Sequence, residues 1–133
     1  MSKVIYPAQR YNNLLIIKAA IGSLTSQPKV IRLLVDTGAS YTLISKSVLT
    51  SAGYNLEPAT EKMVVVAAGG NLQAAIVQLN WFNCLGSQIQ DFSILAWDLP
   101  RGVNASGLLG MDFLCRLGAI IDTSNGTISV PTL

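Results

Sequence analysis

The stretch that decides the fold is RLLVDTGASYTLIS, residues 32–45. In it an apolar run, Leu33–Val35, leads directly into Asp36, and Thr37 and Gly38 follow. A carboxylate at the end of an apolar strand is costly unless hydrogen bonds or a partner compensate it. Glycine allows a tight turn that brings an N–H group close to the carboxylate, and threonine offers a hydroxyl. Taken alone, these three residues are more typical of an Asp that ends a strand and caps a turn.

The composition limits the chemistry that the chain can perform. Its 133 residues predict one domain, residues 1–133, and half of them are hydrophobic while 12% are charged. The net charge of +2 comes from scattered lysines and arginines, which argues against a nucleic-acid partner. Histidine is absent, so Ser-His-Asp and Cys-His catalysis and the common zinc sites are excluded. Proton transfer near neutral pH is left to carboxylates, lysine or tyrosine.

Two cysteines, Cys84 and Cys115, lack the spacing of a metal site. We expect two buried thiols, although a disulfide stays open at this point. No apolar run approaches the roughly 20 residues of a membrane span, and the first residues do not resemble a signal peptide. A cytoplasmic location without a membrane segment is therefore expected.

The pattern along the chain is mainly that of strands. Apolar, β-compatible runs separated by Gly, Pro, Asn and Ser predict strands at residues 14–21, 29–35, 41–44, 62–67, 72–79, 80–84, 91–96, 119–122 and 127–130. Two short helices are predicted, at residues 45–52, ended by Gly53, and at residues 111–116, closed by Gly118. This pattern is typical of a small barrel or sandwich.

A second motif, GLLGMDFL, occupies residues 107–114. Two apolar residues followed by Gly110 at a strand-to-helix junction allow close packing against another backbone segment. By itself the motif is more typical of an ordinary helix start with a packing glycine.

Together, LLVDTGAS at 33–40 and GLLGMDFL at 107–114 resemble the retropepsin-like aspartic proteases, the single-domain relatives of retroviral proteases. The order and separation agree, and the resemblance spans about residues 14–130. It implies a small closed β-barrel with one or two short helices, active as a two-fold homodimer on peptide substrates without a metal or cofactor. Because residues 122–124, DTS, lack the glycine and lead into a turn, they do not supply a second loop. The implied partner of Asp36 is therefore Asp36 of another chain.

The resemblance also assigns roles to residues. Asp36, Thr37 and Gly38 are expected to be catalytic, with the Asp36 pair activating a water and Thr37 bonding across the dimer. Gly110 and Asp112 are expected to support the site. Substrate contacts are expected from Ala39, from the glycine hairpin as a flap, and from the pocket, that is from Ala67, Ala68, Gly69, Gly70, Leu108 and Leu109.

The chain also departs from the retroviral pattern. Met111 stands where retroviral enzymes typically have arginine, so arginine support of the dimer is in doubt. Asp112 either caps or binds backbone, or is a solvated acid at a helix start. A terminal sheet shared between subunits, from residues 4–6 and 128–133, stays open. Ala39 lacks the hydroxyl that a serine would place near the carboxylate. We therefore expect activity over a less acidic pH range than in an enzyme with serine at this position. The alternative function is a catalytically silent dimerisation or peptide-binding module with the same fold.

Overall fold

The computed structural model describes residues 2–56, 62–67 and 70–132, and most of them lie in strands. Two short helices are α1 (Lys46–Ser51) and α2 (Met111–Leu117). In chain order the strands are β1 (Lys3–Pro7), β2 (Gln9–Tyr11), β3 (Leu14–Gly22), β4 (Lys29–Val35), β5 (Leu43–Ile44), β6 (Lys62–Ala67), β7 (Gly70–Cys84), β8 (Ser87–Ala96), β9 (Gly107–Leu109), β10 (Ile120–Asp122) and β11 (Thr127–Pro131). Neither described helix is long and apolar enough to cross a membrane.

Six of the strands close into a barrel. The larger sheet has the hydrogen-bonded order β2-β3-β4-β9-β5-β8-β7-β6, and β3 also pairs with β7. The ring β3-β4-β9-β5-β8-β7 is therefore complete, because the additional pairing joins its two ends. This confirms the small closed barrel with two short helices that the sequence predicts.

β7 is long enough to pair with two further strands besides β3. From Ala75 to Cys84 it pairs with β8 inside the barrel, whereas from Gly70 to Ala75 it pairs with β6. The β6–β7 hairpin therefore extends away from the ring as a two-stranded arm.

Aromatic packing ties α2 to the barrel. The rings of Phe82 and Phe92 lie with centroids 5.1 Å apart, and Phe113 of α2 stacks edge-on against both, at 5.1 and 5.9 Å. Such pairs contribute about 0.5–1.5 kcal/mol each beyond burial of their area. Since Phe113 is fully buried, the first turn of α2 is fixed in position relative to the strands.

The sequence prediction is wrong at several strand boundaries, and the largest difference lies in β7. Residues 80–84 are not a separate strand but continue β7, even though Asn80 is polar. Its backbone N–H donates to the Tyr54 hydroxyl at 2.8 Å, and its side-chain oxygen accepts the Leu24 N–H at 3.2 Å. The polar residue is thus satisfied inside the strand. The predicted strand at 41–44 is shorter, the one predicted at 91–96 begins at Ser87, and β2 was not predicted. β1 includes residues 4–6, which were candidates for a terminal sheet, and β9 is the strand of the predicted strand-to-helix junction.

A second, three-stranded sheet joins the two ends of the chain in the order β1-β11-β10. Residues Lys3–Pro7 pair antiparallel with Thr127–Pro131, and β10 pairs with the other side of β11. The strand nearest the C-terminus is thus the central one, with both of its edges occupied.

Candidate active site

Asp36 is the first residue after β4, and backbone contacts fix its position. Its N–H donates to the Leu109 carbonyl at 3.0 Å, because β9 runs parallel beside β4. Its carboxylate oxygen Oδ1 accepts the Gly38 N–H at 2.9 Å, and its carbonyl accepts the Ala39 N–H at 3.2 Å. The turn that the sequence predicts from Gly38 therefore brings an N–H group to the carboxylate.

The start of α2 holds the same loop from the other side. The Met111 N–H donates to the Ala39 carbonyl at 2.8 Å, and the Asp112 N–H donates to the Ser40 carbonyl at 3.2 Å. The first N–H groups of a helix have no partner within the helix. Here the loop carbonyls satisfy two of them, so the loop and the helix fix one another.

A buried hydrogen-bond network links Thr42 to Asp112. The Thr42 N–H donates to Asp112 Oδ2 at 2.9 Å, and its hydroxyl donates to Asp112 Oδ1 at 2.8 Å. Asp112 Oδ1 also accepts the Phe113 N–H at 2.8 Å, while the Thr42 hydroxyl accepts the Gly110 N–H at 3.2 Å. Of the two interpretations of Asp112, the geometry is that of an acid bound to backbone.

Sequence reasoning missed Thr42 as part of this network. Its side chain is fully buried, although it lies beside a strand of two residues and 70 positions away from Asp112. A threonine between Tyr41 and Leu43 carries no local signal of such a contact. Only the pairing of β5 with β9, which precedes α2, brings the two side chains together.

Two glycines allow β9 to lie against the segment that follows the Asp36 loop. A Cβ atom at Gly110 would lie 2.6 Å from the Tyr41 carbonyl carbon, and one at Gly107 would overlap the Leu43 carbonyl oxygen. Any side chain at either position would push the backbones apart. The close approach predicted from the second motif is therefore present at Gly110.

The other predicted site residues near Asp36 differ in exposure. Thr37 is exposed, and its hydroxyl has no partner among the residues that the structure describes. Ala39 and Leu108 are half-buried. Leu109 is fully buried in the hydrophobic core, so its carbonyl, rather than its side chain, is the group that reaches Asp36. A substrate contact through the Leu109 side chain would require this core position to open.

The predicted flap falls on the arm formed by β6 and β7. Ala67 and Gly70 are the last paired residues of that hairpin, and Gly70 has a φ of +119°, a conformation that favours glycine. Ala68 and Gly69, which were also predicted to contact substrate, lie outside the described residues.

Asp122 occupies a turn that does not repeat the geometry of the Asp36 loop. Its carboxylate accepts the Asn125 backbone N–H at 3.0 Å and the Asn125 side-chain amide at 2.8 Å. The backbone hydrogen bond from Asn125 is the largest cause that lowers the pKa of this carboxyl below its ordinary value. The DTS sequence at 122–124 thus closes the β10–β11 hairpin.

Comparisons with known proteins agree with this geometry. A protein-family model described as aspartyl protease matches residues 18–113, which include the Asp36 loop and the start of α2. The fold is similar to the solved structure of a retropepsin-like aspartic protease from Rickettsia conorii, with a TM-score of 0.72. That match covers 97% of this chain and 89% of the other, at 23% sequence identity. A search of curated protein sequences gave no match.

Proposed function

The chain belongs to the aspartyl protease family and has the retropepsin-like fold, and on this premise we propose that it is a homodimeric endopeptidase. In this proposal each copy contributes one Asp36, and the active site forms where the two Asp36 loops meet. The main support for this proposal is that the Asp36 carboxylate is fixed at the end of a barrel strand. Beside it, Thr37 is exposed, and its hydroxyl has no partner among the described residues. We also propose that residues 1–133 act as one domain.

Among the described residues of one chain, every acid other than Asp36 is either held by hydrogen bonds or exposed on a strand. Asp112 is held by Thr42 and Phe113, Asp98 accepts the Lys46 N–H at 2.9 Å, and Asp122 is held by Asn125. The remaining described acid, Asp91, lies exposed in β8, and Glu57 and Glu61 lie outside the described residues. A second copy of the Asp36 loop supplies what the described part of one chain lacks.

Two carboxylates held close together share one proton, because their two negative charges repel. The ionised one takes a proton from a bound water, and the protonated one donates a hydrogen bond to the scissile carbonyl oxygen. The water oxygen attacks the carbonyl carbon and gives a tetrahedral diol. Proton transfer to the amide nitrogen then lets the C–N bond break, which releases a carboxylic acid and an amine.

The surrounding residues complete the proposed site. Thr37 bonds across the dimer, and Gly38 keeps its N–H on Asp36 while leaving room for substrate backbone. The β6–β7 arm, including residues 67–70, closes over the peptide and excludes water. Ala39 and Leu108 give an apolar lining, which favours hydrophobic side chains next to the scissile bond.

The test is cleavage of a mixed peptide library by the wild type and by Asp36→Asn. Asp91→Asn is the matched control, because it makes the same chemical change at an exposed acid whose φ of +56° suits asparagine. We expect Asp36→Asn to lose at least about 10³-fold of the activity, since proton transfer is removed, whereas Asp91→Asn retains it. Urea unfolding of each variant checks that the fold is intact.

Peptide cleavage by the Asp36→Asn variant at the wild-type rate would refute the proposal. If the wild type instead binds peptides of the library without cleaving them, the silent peptide-binding module is the correct function. A transition-state inhibitor provides a second probe, because it should bind the wild type and lose affinity for Asp36→Asn.

A further inference from the structure

We propose that a surface cavity beside β3 and β4 binds a small amphipathic anion, that is, a carboxylate carried on a short apolar chain. Two cationic side chains, Lys18 and Arg32, hold the carboxylate, and the buried walls of the cavity hold the chain. The site is separate from the Asp36 loop, because Arg32 lies about 13 Å from Asp36 along β4. The inference therefore goes beyond the proposed proteolytic function and does not depend on it.

The two cations lie opposite one another on neighbouring strands. Lys18 of β3 is the cross-strand partner of Arg32 of β4 in their antiparallel register. Like charges at directly opposed positions destabilise a sheet. In the part of the chain that the structure describes, the hydrogen bonds of the carboxylates all go to other groups, so none of them neutralises this pair. An anion bound between the two side chains supplies the missing counter-charge.

Gln9 fixes the direction of the Arg32 side chain. Nη2 of Arg32 donates to Gln9 Oε1 at 2.6 Å, which engages the oxygen of this amide and leaves its nitrogen, a donor. Lysine and arginine side chains also carry only donors. Arg32 is half-buried, so water and salt screen its charge less than at a fully exposed position. The groups that these three residues present suit an acceptor with negative charge.

The rest of the cavity wall is mainly apolar. The cavity has a volume of about 350 Å³, and its lining includes Ile16, Ile17 and Leu85, which are all buried. Tyr6 and Pro7 of β1 also line it. This volume lies within the range of small-molecule sites, which combine apolar walls with a few polar groups that orient the ligand. A carboxylate with an apolar chain matches both parts of the lining, whereas a bare inorganic anion leaves the apolar part without a partner.

Two kinds of molecule carry this chemistry, namely a peptide that ends in an apolar residue with a free carboxylate, and a medium-chain fatty acid. The first test measures binding of both to the wild type by isothermal titration calorimetry. The peptide probe is an N-acetylated tripeptide of alanine and two leucines, and the fatty-acid probe is hexanoate. Each is compared with its uncharged C-terminal amide or hexanamide, and sodium sulfate serves as the bare anion.

We expect at least one carboxylate to bind with a dissociation constant below about 1 mM, and its amide and sulfate to bind at least about tenfold more weakly. The carboxylate that binds more tightly identifies the source of the ligand. Equal binding of a carboxylate and its amide, equal binding of sulfate, or no binding of either carboxylate up to about 10 mM would overturn the proposal.

The second test assigns the bound probe to the cavity. Lys18→Gln and Arg32→Gln each remove one cation, and each should weaken binding of the tighter carboxylate at least about tenfold. Lys29→Gln is the matched control with wild-type affinity, because Lys29 also lies in β4 but does not line the cavity. An affinity within about threefold of the wild type for either cavity variant would contradict the assignment. The first test needs no variant, so it stands even if these variants do not fold.

The Asp36→Asn variant separates this cavity from the proposed active site. Asp36 does not line the cavity, so the variant should bind the carboxylate probe as the wild type does. Loss of binding in Asp36→Asn would show that the probe binds beside Asp36 and would overturn the proposal. If the variant binds the probe and still cleaves peptides, the proposed function fails while the cavity site stands.

Discussion

The support of the Asp36 loop depends on two side chains, those of Thr42 and Asp112. Asp112 receives three hydrogen bonds, two of them from Thr42, and the Thr42 hydroxyl receives one from Gly110. Hydrogen bonds to a charged acceptor are about twice as strong as neutral ones. This pair therefore joins the segment after the loop to the start of α2.

Replacement of Thr42 by valine should destabilise the protein by about 1–3 kcal/mol. Valine keeps the volume but leaves the Gly110 N–H without a partner and removes one bond to Asp112. The measurement is urea unfolding, with Thr50→Val as the control because Thr50 is exposed on α1. If the two variants have equal free energies of unfolding, the network contributes nothing to stability.

Replacement of Ala39 by serine should move the acidic limb of the activity to lower pH, by roughly one pH unit. Ala39 is half-buried and its N–H bonds to the Asp36 carbonyl, so a hydroxyl here starts close to the Asp36 carboxylate. A hydrogen bond from that hydroxyl favours the ionised form. The measurement is kcat/KM against pH for both proteins, and an unmoved acidic limb would contradict the prediction.

At the element scale, the sequence predicts most strands because their apolar runs are bounded by turn residues. β3, β4 and the hairpin of β10 and β11 lie close to their predicted positions for this reason. The strands that the sequence does not predict also have a physical explanation. β9 has three residues and exists because it pairs with β4 and β5, both distant in the sequence, and no local pattern reports such contacts.

The barrel strand β7 carries a buried thiol whose titration links stability to pH. Burial raises the pKa of Cys84 from 9.0 to about 12. The folded state thus holds this proton more tightly than the unfolded state. The stabilisation from the protonated Cys84 thiol is fully present below about pH 9. It is lost as the pH rises towards about 12, by up to about 1.4 kcal/mol for each pH unit.

Replacement of Cys84 by alanine should therefore flatten the decline in stability above about pH 9. The measurement is urea unfolding at several pH values between about 8 and 11. Cys115→Ala, which changes an exposed thiol, serves as the control and should keep the wild-type decline. Burial also raises the pKa of Tyr54, which adds a decline of the same sign to every variant. Equal slopes for Cys84→Ala and the wild type would refute the linkage.

For the molecule as a whole, the sequence locates the Asp36 loop, and the fold explains how that loop is held in place. Asp36, Gly38 and Gly110 could be identified because their motifs have local meaning, namely an acid after an apolar strand and glycines at tight contacts. Thr42 could not, since its role depends on a partner 70 residues away. The full burial of Leu109 could not be read from its motif either, because only the closed barrel determines which side of β9 faces the core.

In the proposed dimer, one active site needs Asp36 from two copies. The test is to mix equal amounts of the wild type and Asp36→Asn, well above the dimer dissociation constant and after subunit exchange. Random pairing leaves about a quarter of the dimers with two intact carboxylates, so we expect about a quarter of the peptide-cleaving activity of an equal total amount of wild type. Retention of about half of that activity would show that each chain works alone and would rule out a shared site.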